Sequence, residues 1–263
     1  MSAAIVRPVR FDAASYALQV TMNGVAETLT AAITASVDYW PVGDGRAQTL
    51  EGVGDLLKVL QDTLDTHTQA GTSVPSVALV LSTGAPFVRV TVSTSTIALL
   101  WDDLATTLDG SPFGFAASTG LGPQLDGNQL ATIWLPGIPV GPDSRNRPRV
   151  VRGRSISMSG IQYTSDFGDA TRSRRLTFNL LNQAKILEEY ASNAANAFES
   201  HWVAGISKGQ AFRLYEDQST LGSGGFGTYV QQDLAEPMER SAADTSGVRW
   251  DVTLDMIAQG LAA

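Results

Sequence analysis

The chain has 263 residues, of which 43% are hydrophobic and 17% are charged, and a length suited to one large or two small domains. Its 26 acidic residues outnumber its 18 basic ones, giving a net charge of −8, which argues against a general nucleic-acid binder because such proteins need excess cations to face phosphate. The absence of Cys excludes disulfides and thiol chemistry, and with only two His we expect no metal site and no cofactor.

The sequence shows no pattern typical of a targeting or membrane segment. Residues 1–11 include two Arg, but no apolar run follows them, so we expect no signal peptide. The longest apolar runs, such as residues 77–81, are far shorter than the roughly 20 residues of a membrane helix. We therefore expect synthesis in the cytoplasm and no membrane insertion.

Residues 1–134 are predicted to form a β-rich N-terminal domain. The runs 15–22 and 28–40 have strand composition and flank an Asn23-Gly24 turn. Leucines at helical spacing predict an amphipathic helix at about residues 50–70. Three apolar runs follow, at 77–81, 87–92 and 97–101, and we expect them to form a small meander covered by that helix.

Residues 135–150 are rich in Pro, Gly and Arg and predict a linker or a crossing loop before a C-terminal α+β domain at 151–263. Leu176, Phe178 and Leu180 alternate with polar residues, as do the apolar positions of 248–256, and this predicts half-buried antiparallel strands. Apolar residues at helical spacing predict a helix at about 183–204. The expected fold class is α+β and β-rich, with two small antiparallel-sheet domains, as sandwiches or half-barrels, each covered by one amphipathic helix.

Two short motifs match catalytic patterns but stand in the wrong structural context. Residues 205–209 spell G-x-S-x-G around Ser207, yet a helix is predicted before it and a strand after it, the reverse of a nucleophile elbow. Residues 222–227 spell G-x-G-x-x-G, but a strand is predicted after it where a dinucleotide site needs a helix. We interpret them as a helix-terminal turn and a hairpin loop.

The remaining candidate residues also have structural interpretations. His67 and His201 lack metal-ligand spacing and are predicted on helix surfaces. Asp102 and Asp103 are adjacent, and we interpret them as a solvated turn, not half of a glycosidase pair. Four tryptophans are predicted core or interface anchors: Trp40, Trp101, Trp134 and Trp202. The sequence therefore predicts no catalytic residue and no enzyme.

The uneven distribution of charge along the sequence is the one electrostatic feature that indicates a possible interface. Residues 1–140 have five basic and twelve acidic residues, whereas residues 145–175 contain eight Arg against two Asp. The candidate interface residues are Arg145, Arg147, Arg149, Arg152, Arg154, Arg172, Arg174 and Arg175. They either dock on the acidic half of a neighbouring copy or pair with local acids while their stems cover apolar surface. We expect reversal of Arg172, Arg174 and Arg175 to Glu to weaken assembly more than folding, because it leaves the apolar face of that strand untouched.

The sequence of residues 98–257 resembles those of virion proteins from the tail modules of long-tailed bacteriophages. The segments that carry the resemblance are WLPG (134–137), DSRNRP (143–148), RRLTF (174–178), AKILEEY (184–190), FESHW (198–202), GQAFRLYED (209–217), GTYV (227–230) and RWDVTL (249–254). Residues 1–97 carry none of it. The most similar role is that of a distal tail or baseplate protein.

The resemblance implies a structural protein without catalytic residues. It implies a homo-oligomeric ring or adaptor in the virion tail that joins the tail tube to the tip, made in the host cytoplasm. Its partners would be copies of itself and other tube or baseplate proteins, with no nucleic acid. The alternatives are a receptor- or glycan-binding module at the tail tip and a head-associated minor structural protein.

Overall fold

The structure of the chain is a computed structural model. It describes residues 2–41, 55–69, 73–81, 86–141, 145–149, 152–156, 162–166, 171–221, 226–232, 236–244 and 248–258. The described residues form sixteen strands and two α-helices, and all strand pairings are antiparallel. The predicted α+β, β-rich class is confirmed.

The helices are α1 (Leu56–Asp65) and α2 (Phe198–Ala204). The strands before the predicted linker are β1 (Ala4–Val6), β2 (Ser15–Met22), β3 (Val25–Ala32), β4 (Ser76–Val80), β5 (Phe87–Thr91), β6 (Ile97–Leu99), β7 (Gln124–Gln129) and β8 (Ile133–Trp134). The later strands are β9 (Arg145–Arg149), β10 (Arg152–Ile156), β11 (Gln162–Asp166), β12 (Thr171–Asn182), β13 (Phe212–Tyr215), β14 (Phe226–Gln231), β15 (Met238–Arg240) and β16 (Arg249–Ala258).

Two three-stranded sheets form most of the N-terminal half. Their orders are β3-β2-β6 and β4-β5-β7. The predicted turn joins β2 to β3, with Asn23 and Gly24 both at positive φ, as a two-residue hairpin of the primed type requires. The predicted meander of three successive strands is wrong, because β6 pairs with β2, and β7 takes the place beside β5.

Helix α1 packs its apolar face against both small sheets. It begins after Asp55, whose side chain accepts hydrogen bonds from the backbone N–H groups of Leu57 and Lys58. The leucines at helical spacing are buried: Leu56, Leu57, Leu60 and Leu64. The helix is thus confirmed with narrower limits than the predicted 50–70, although residues 50–54 lie outside the described part of the chain.

The largest sheet has eight strands and spans the predicted domain boundary. Seven follow the order β8-β1-β13-β14-β16-β12-β9, and β15 also pairs with β16. Strands β1 and β8 come from the predicted N-terminal domain, and β9 lies inside the stretch predicted as a linker. The division into two domains stays a prediction.

Strand β1 contributes side chains to two different hydrophobic cores. Ala4 and Val6 belong to the first core, which contains the buried residues of both small sheets and α1. Ile5, on the opposite face, belongs to the second core with Trp134, Phe178 and other residues of β12, β16 and α2. The large sheet is therefore covered on both faces around β1 and β13.

A bulge in β12 changes which leucine enters the core. The pairing with β16 shifts between Phe178 and Leu181, and Leu180 has a φ of 58°. As a result Leu180 is 48% exposed and Leu181 is 2% exposed. The prediction that Leu180 continues the buried row of Leu176 and Phe178 is wrong, since an extra residue inverts the alternation at this point.

The long helix predicted at 183–204 is also wrong. Three short 3-10 turns occupy Gln183–Lys185, Glu188–Tyr190 and Ala194–Asn196, and only the seven residues of α2 are α-helical. Backbone groups that a continuous helix would use bond elsewhere: the Glu188 N–H donates to the Glu199 carboxylate, and the Glu199 N–H donates to the carbonyl oxygen of Ile186. These local bonds favour turns over the helix that the apolar spacing predicts.

The bulge gives a test with a matched pair of variants. We expect Leu181→Ala to lower the free energy of unfolding by about 2–5 kcal/mol because it leaves a cavity in the second core. Leu180→Ala deletes the same side-chain atoms at a solvent-exposed position and should change the free energy of unfolding by less than about 0.5 kcal/mol. Urea unfolding of both variants measures the difference, and equal losses would contradict the bulge.

Candidate assembly interface

Strand pairing brings most of the arginine segment onto neighbouring strands. The register places Arg149, Arg147 and Arg145 of β9 opposite Thr171, Ser173 and Arg175 of β12. Arg172 and Arg174 are also on β12, opposite Pro148 and Asn146. Arg152 and Arg154 lie apart from these, on the two-stranded ribbon of β10 and β11.

Arg174 is directed to the interior side of β12. Its side chain is 12% exposed, and its Nη1 donates to Glu216 Oε1 at 2.7 Å. Burial alone would lower the pKa of Arg174, but hydrogen bonds to Tyr229 and Glu216 outweigh it and raise that pKa. The expectation that reversal of Arg174 to Glu leaves the buried side of the strand untouched is therefore wrong, because Glu at this position would face Glu216 in a half-buried site.

Arg175 lies on the opposite, outer face and forms a bidentate pair across the sheet. Its Nε and Nη2 donate to the two carboxylate oxygens of Asp255, each at 2.8 Å. The hydrogen bond to Asp255 raises the pKa of Arg175. Both arginines of the segment whose side chains are described thus pair with local acids, as the second interpretation of the cluster expects; whether the segment also meets another copy remains a prediction.

Sequence reasoning missed a buried pair, because it predicted His201 on a helix surface. His201 is fully buried, and its Nδ1 accepts a hydrogen bond from Arg7 Nε at 3.1 Å. Arg7 Nη2 also donates to the carbonyl oxygen of Ala131 at 3.3 Å. Helical spacing could not reveal this contact, since Arg7 follows β1 and comes from the other end of the chain.

Arg7 remains cationic at neutral pH although it is buried. Burial lowers its pKa to about 10. Because this value is below that of the unfolded chain, the charged form opposes folding at every pH below about 10, and the opposition is relieved as the pH rises further. The acceptors on His201 and Ala131 offset that cost at neutral pH.

A second buried cation, Arg213, is held by aromatic rings on the other side of the sheet. Its guanidinium carbon lies 4.1 Å from the ring centroid of Trp40 and 4.4 Å from that of Phe226. Such contacts favour a planar, weakly hydrated guanidinium over an ammonium. Arg213 therefore connects the segment around Trp40 to β13 and β14.

The G-x-S-x-G motif lies in a turn after a helix, as its structural interpretation predicts, whereas most of the glycine-rich motif is not described. Ser207 is in the 3-10 turn Ile206–Lys208, between α2 and β13. Of the glycine-rich motif, residues 222–225 lie outside the described part of the chain, and Gly227 is within β14. Asp102 and Asp103 are exposed in a turn. His67 lies two residues beyond the end of α1.

All four predicted tryptophan anchors pack against a core. Trp134 and Trp202 are buried in the second, and Trp40 and Trp101 pack against the first. In the part of the chain that the structure covers, no three His, Asp or Glu side chains are grouped so that they could hold a metal ion. Neither described helix has the length and apolarity needed to cross a membrane.

Comparison of the chain with protein-family models, with curated proteins and with solved structures finds no match.

The buried pair predicts a difference between two variants of His201. His201→Ala removes the acceptor of a buried charged donor, and we expect it to lower the free energy of unfolding by about 2–4 kcal/mol. His201→Asn offers an amide oxygen at a similar position and should restore at least about 1 kcal/mol of that loss. Denaturant unfolding at pH 7 measures both, and equal destabilisation would show that the bond to Arg7 contributes nothing.

Proposed function

We propose that this chain is a structural protein that assembles with copies of itself into a ring or adaptor. The observation that carries the proposal is the arginine-rich strand β9 at the edge of the eight-stranded sheet, on a molecule whose other half is acidic. Opposite charges at separate places on one chain favour a contact between unlike surfaces of neighbouring copies. A contact of that kind closes into a ring when its rotation allows.

The residues of β9 disfavour nonspecific pairing with another strand. Within the described residues β9 pairs with β12 alone and is the last strand of the large sheet. Open edges invite indiscriminate pairing, and charged residues and Pro suppress it. β9 has three Arg and Pro148, which lacks a backbone N–H. A partner must therefore match its charge and cannot simply extend the ladder.

We propose that the protein assembles at the distal tail or baseplate of a long-tailed phage, where the ring would join the tail tube to the tip. The support is the resemblance of residues 98–257, and the chain's own charge pattern is compatible with it. No described feature favours the alternatives of a receptor- or glycan-binding tip module or a head-associated minor protein, which stay predictions.

The arginine edge gives a direct test. We expect replacement of Arg145, Arg147 and Arg149 together by Glu to raise the protein concentration needed for assembly by about tenfold or more, because like charges then face each other. The same three positions changed to Lys keep the charge and should assemble nearly as the wild type does. Size-exclusion chromatography with light scattering, at low and high salt, measures the concentration dependence.

Two results would contradict the proposal. One is a wild-type chain that stays monomeric at high concentration and is missing from purified phage particles by mass spectrometry. The other is a Glu variant that assembles as readily as the Lys variant at low salt.

A further inference from the structure

A loop of the N-terminal half, residues 100–109, presents a fully exposed leucine. Leu104 has a relative exposure of 103% and follows Asp102 and Asp103 directly in the sequence. A single exposed leucine is ordinary on a protein surface. This one differs because the segment that presents it is fixed by hydrogen bonds. We call it the Leu104 loop.

Hydrogen bonds tie both ends of the Leu104 loop to the structure beneath it. Thr106 Oγ1 donates to the carbonyl oxygen of Leu100 at 2.8 Å and accepts from the Gln19 N–H at 3.0 Å. The backbone N–H groups of Thr107 and Leu108 both donate to the carbonyl oxygen of Ala17, at 2.8 and 3.0 Å. The loop therefore loses little conformational entropy when it binds a partner.

Aromatic packing adds to this rigidity. Trp101 stacks on Phe113 and Phe115, with ring centroids 6.0 and 5.9 Å apart. Gly110 lies under the indole, where a Cβ would come within 2.6 Å of Trp101 Cδ2 and 2.5 Å of the Phe115 carbonyl oxygen. The approach of Trp101 to the backbone requires glycine at this position.

The carboxylates of the loop keep capacity for a cation. Asp102 Oδ2 accepts from the Ser118 N–H at 2.8 Å, and Asp103 Oδ1 accepts from the Ala105 N–H at 2.8 Å. A carboxylate offers about four acceptor sites, so each side chain can also accept from an arginine. The loop thus presents an apolar tip beside two anionic groups.

The complementary surface is the outer face of the large sheet beyond the part that the first core covers. Val230 of β14 and Ile257 of β16 are opposed in the register. Both are partly exposed, and neither belongs to or packs against the two cores of the described residues. They form an apolar pair on an open sheet face.

Arginine positions lie on one side of that apolar pair, on β12 and β9. Ile257 is opposite Ser173, which is opposite Arg147, so these three positions form one row across β16, β12 and β9. Directly opposed residues share a face of a sheet. The same face includes the positions Arg145, Arg149 and Arg175, with Asp255 in the neighbouring row and Asp251, opposite Glu239, farther along β16. This face thus has an apolar pair at Val230 and Ile257, with arginine positions one and two strands away from Ile257.

We propose that the Leu104 loop of one copy docks on this open face of the next copy, with Leu104 against Val230 and Ile257. Asp102 and Asp103 then lie beside the arginines of β9 and β12. The inference rests on the proposed self-assembly and specifies its two surfaces. Because the surfaces differ, the contact is head-to-tail, and repetition of it generates a ring or an open chain of copies.

The absence of native cysteine allows a crosslinking test without background. A variant with Leu104→Cys and Ile257→Cys should form disulfide-linked oligomers on mild oxidation, which appear as a ladder on non-reducing gels. The control carries Leu121→Cys and Ile257→Cys, since Leu121 is also exposed, at 54%. The control should stay at least about tenfold less crosslinked, because disulfides form only where the Cα atoms approach to within roughly 7 Å. Equal ladders, no ladder, or a bond within one chain would overturn the inference.

A mixing experiment tests the head-to-tail arrangement. Leu104→Asp damages the loop and leaves the open face intact, while Ile257→Asp damages the face and leaves the loop intact. Each variant alone should be monomeric at concentrations where the wild type assembles. When the two variants are mixed, they should form a heterodimer and no larger species. The intact loop of the Ile257→Asp variant can bind the intact face of the Leu104→Asp variant, and no second intact pair remains.

The outcomes separate the inference from the proposed function. If wild type and Leu104→Asp assemble alike, the inference fails while self-assembly stands. If the mixture stays monomeric although the wild type assembles, the inference fails as well. If the wild type itself does not assemble, the proposed function fails with it. Circular dichroism confirms that each variant is folded, and Leu121→Asp serves as the folded control with an added surface charge.

Discussion

Burial of both faces of β1 and β13 is the constraint on which the rest of the structure depends. Successive side chains of these strands enter different cores, so the two halves of the chain share one sheet as a common wall. A strand in this position cannot have the alternating apolar and polar pattern of a surface strand. Two buried cations accompany these strands: Arg7, which follows β1, is held by a histidine acceptor on one face, and Arg213 of β13 is held by aromatic rings on the other.

The shared sheet also determines on which of its faces charged side chains can be exposed. Toward β9 the sheet keeps its second core on one face, while the other face leaves the first core and becomes open. Arg174, on the covered face, is paired with Glu216, and Arg175, on the open face, is paired with Asp255. Each of these arginines thus pairs with an acid of its own chain, and the proposed contact between copies depends on the arginine positions of β9.

Local sequence patterns predicted the strands better than their partners. The run 15–22 matches β2 at both ends, because alternation and the Asn23-Gly24 turn are properties of adjacent residues. The placement of β6 beside β2 depends on contacts between distant segments, which periodicity does not encode. The predicted helix at 183–204 failed where polar side chains compete for backbone groups, and the bulge at Leu180 inverted an alternation that was correct up to Phe178.

The sequence also predicted only part of the candidate interface. Composition located the arginine segment, whereas only strand register shows which positions share a face and that Arg174 is half buried. The burial of His201 depends on Arg7, close to the start of the chain, so no local pattern could indicate it. The exposed Leu104 had no sequence signal either, because its loop has the composition of many ordinary turns.

The position of β1 has a consequence for how the molecule is made. Ile5 of β1 pairs with Trp134 of β8, whereas Ala4 pairs with Tyr215 of β13, so the second neighbour of β1 is synthesised long after the first. Contacts between segments so far apart in the chain form late and slowly, and until β13 is available β1 has an unpaired edge on the side away from β8. Pairing of β1 with β13 therefore closes the sheet between the two hydrophobic cores at a late stage of synthesis.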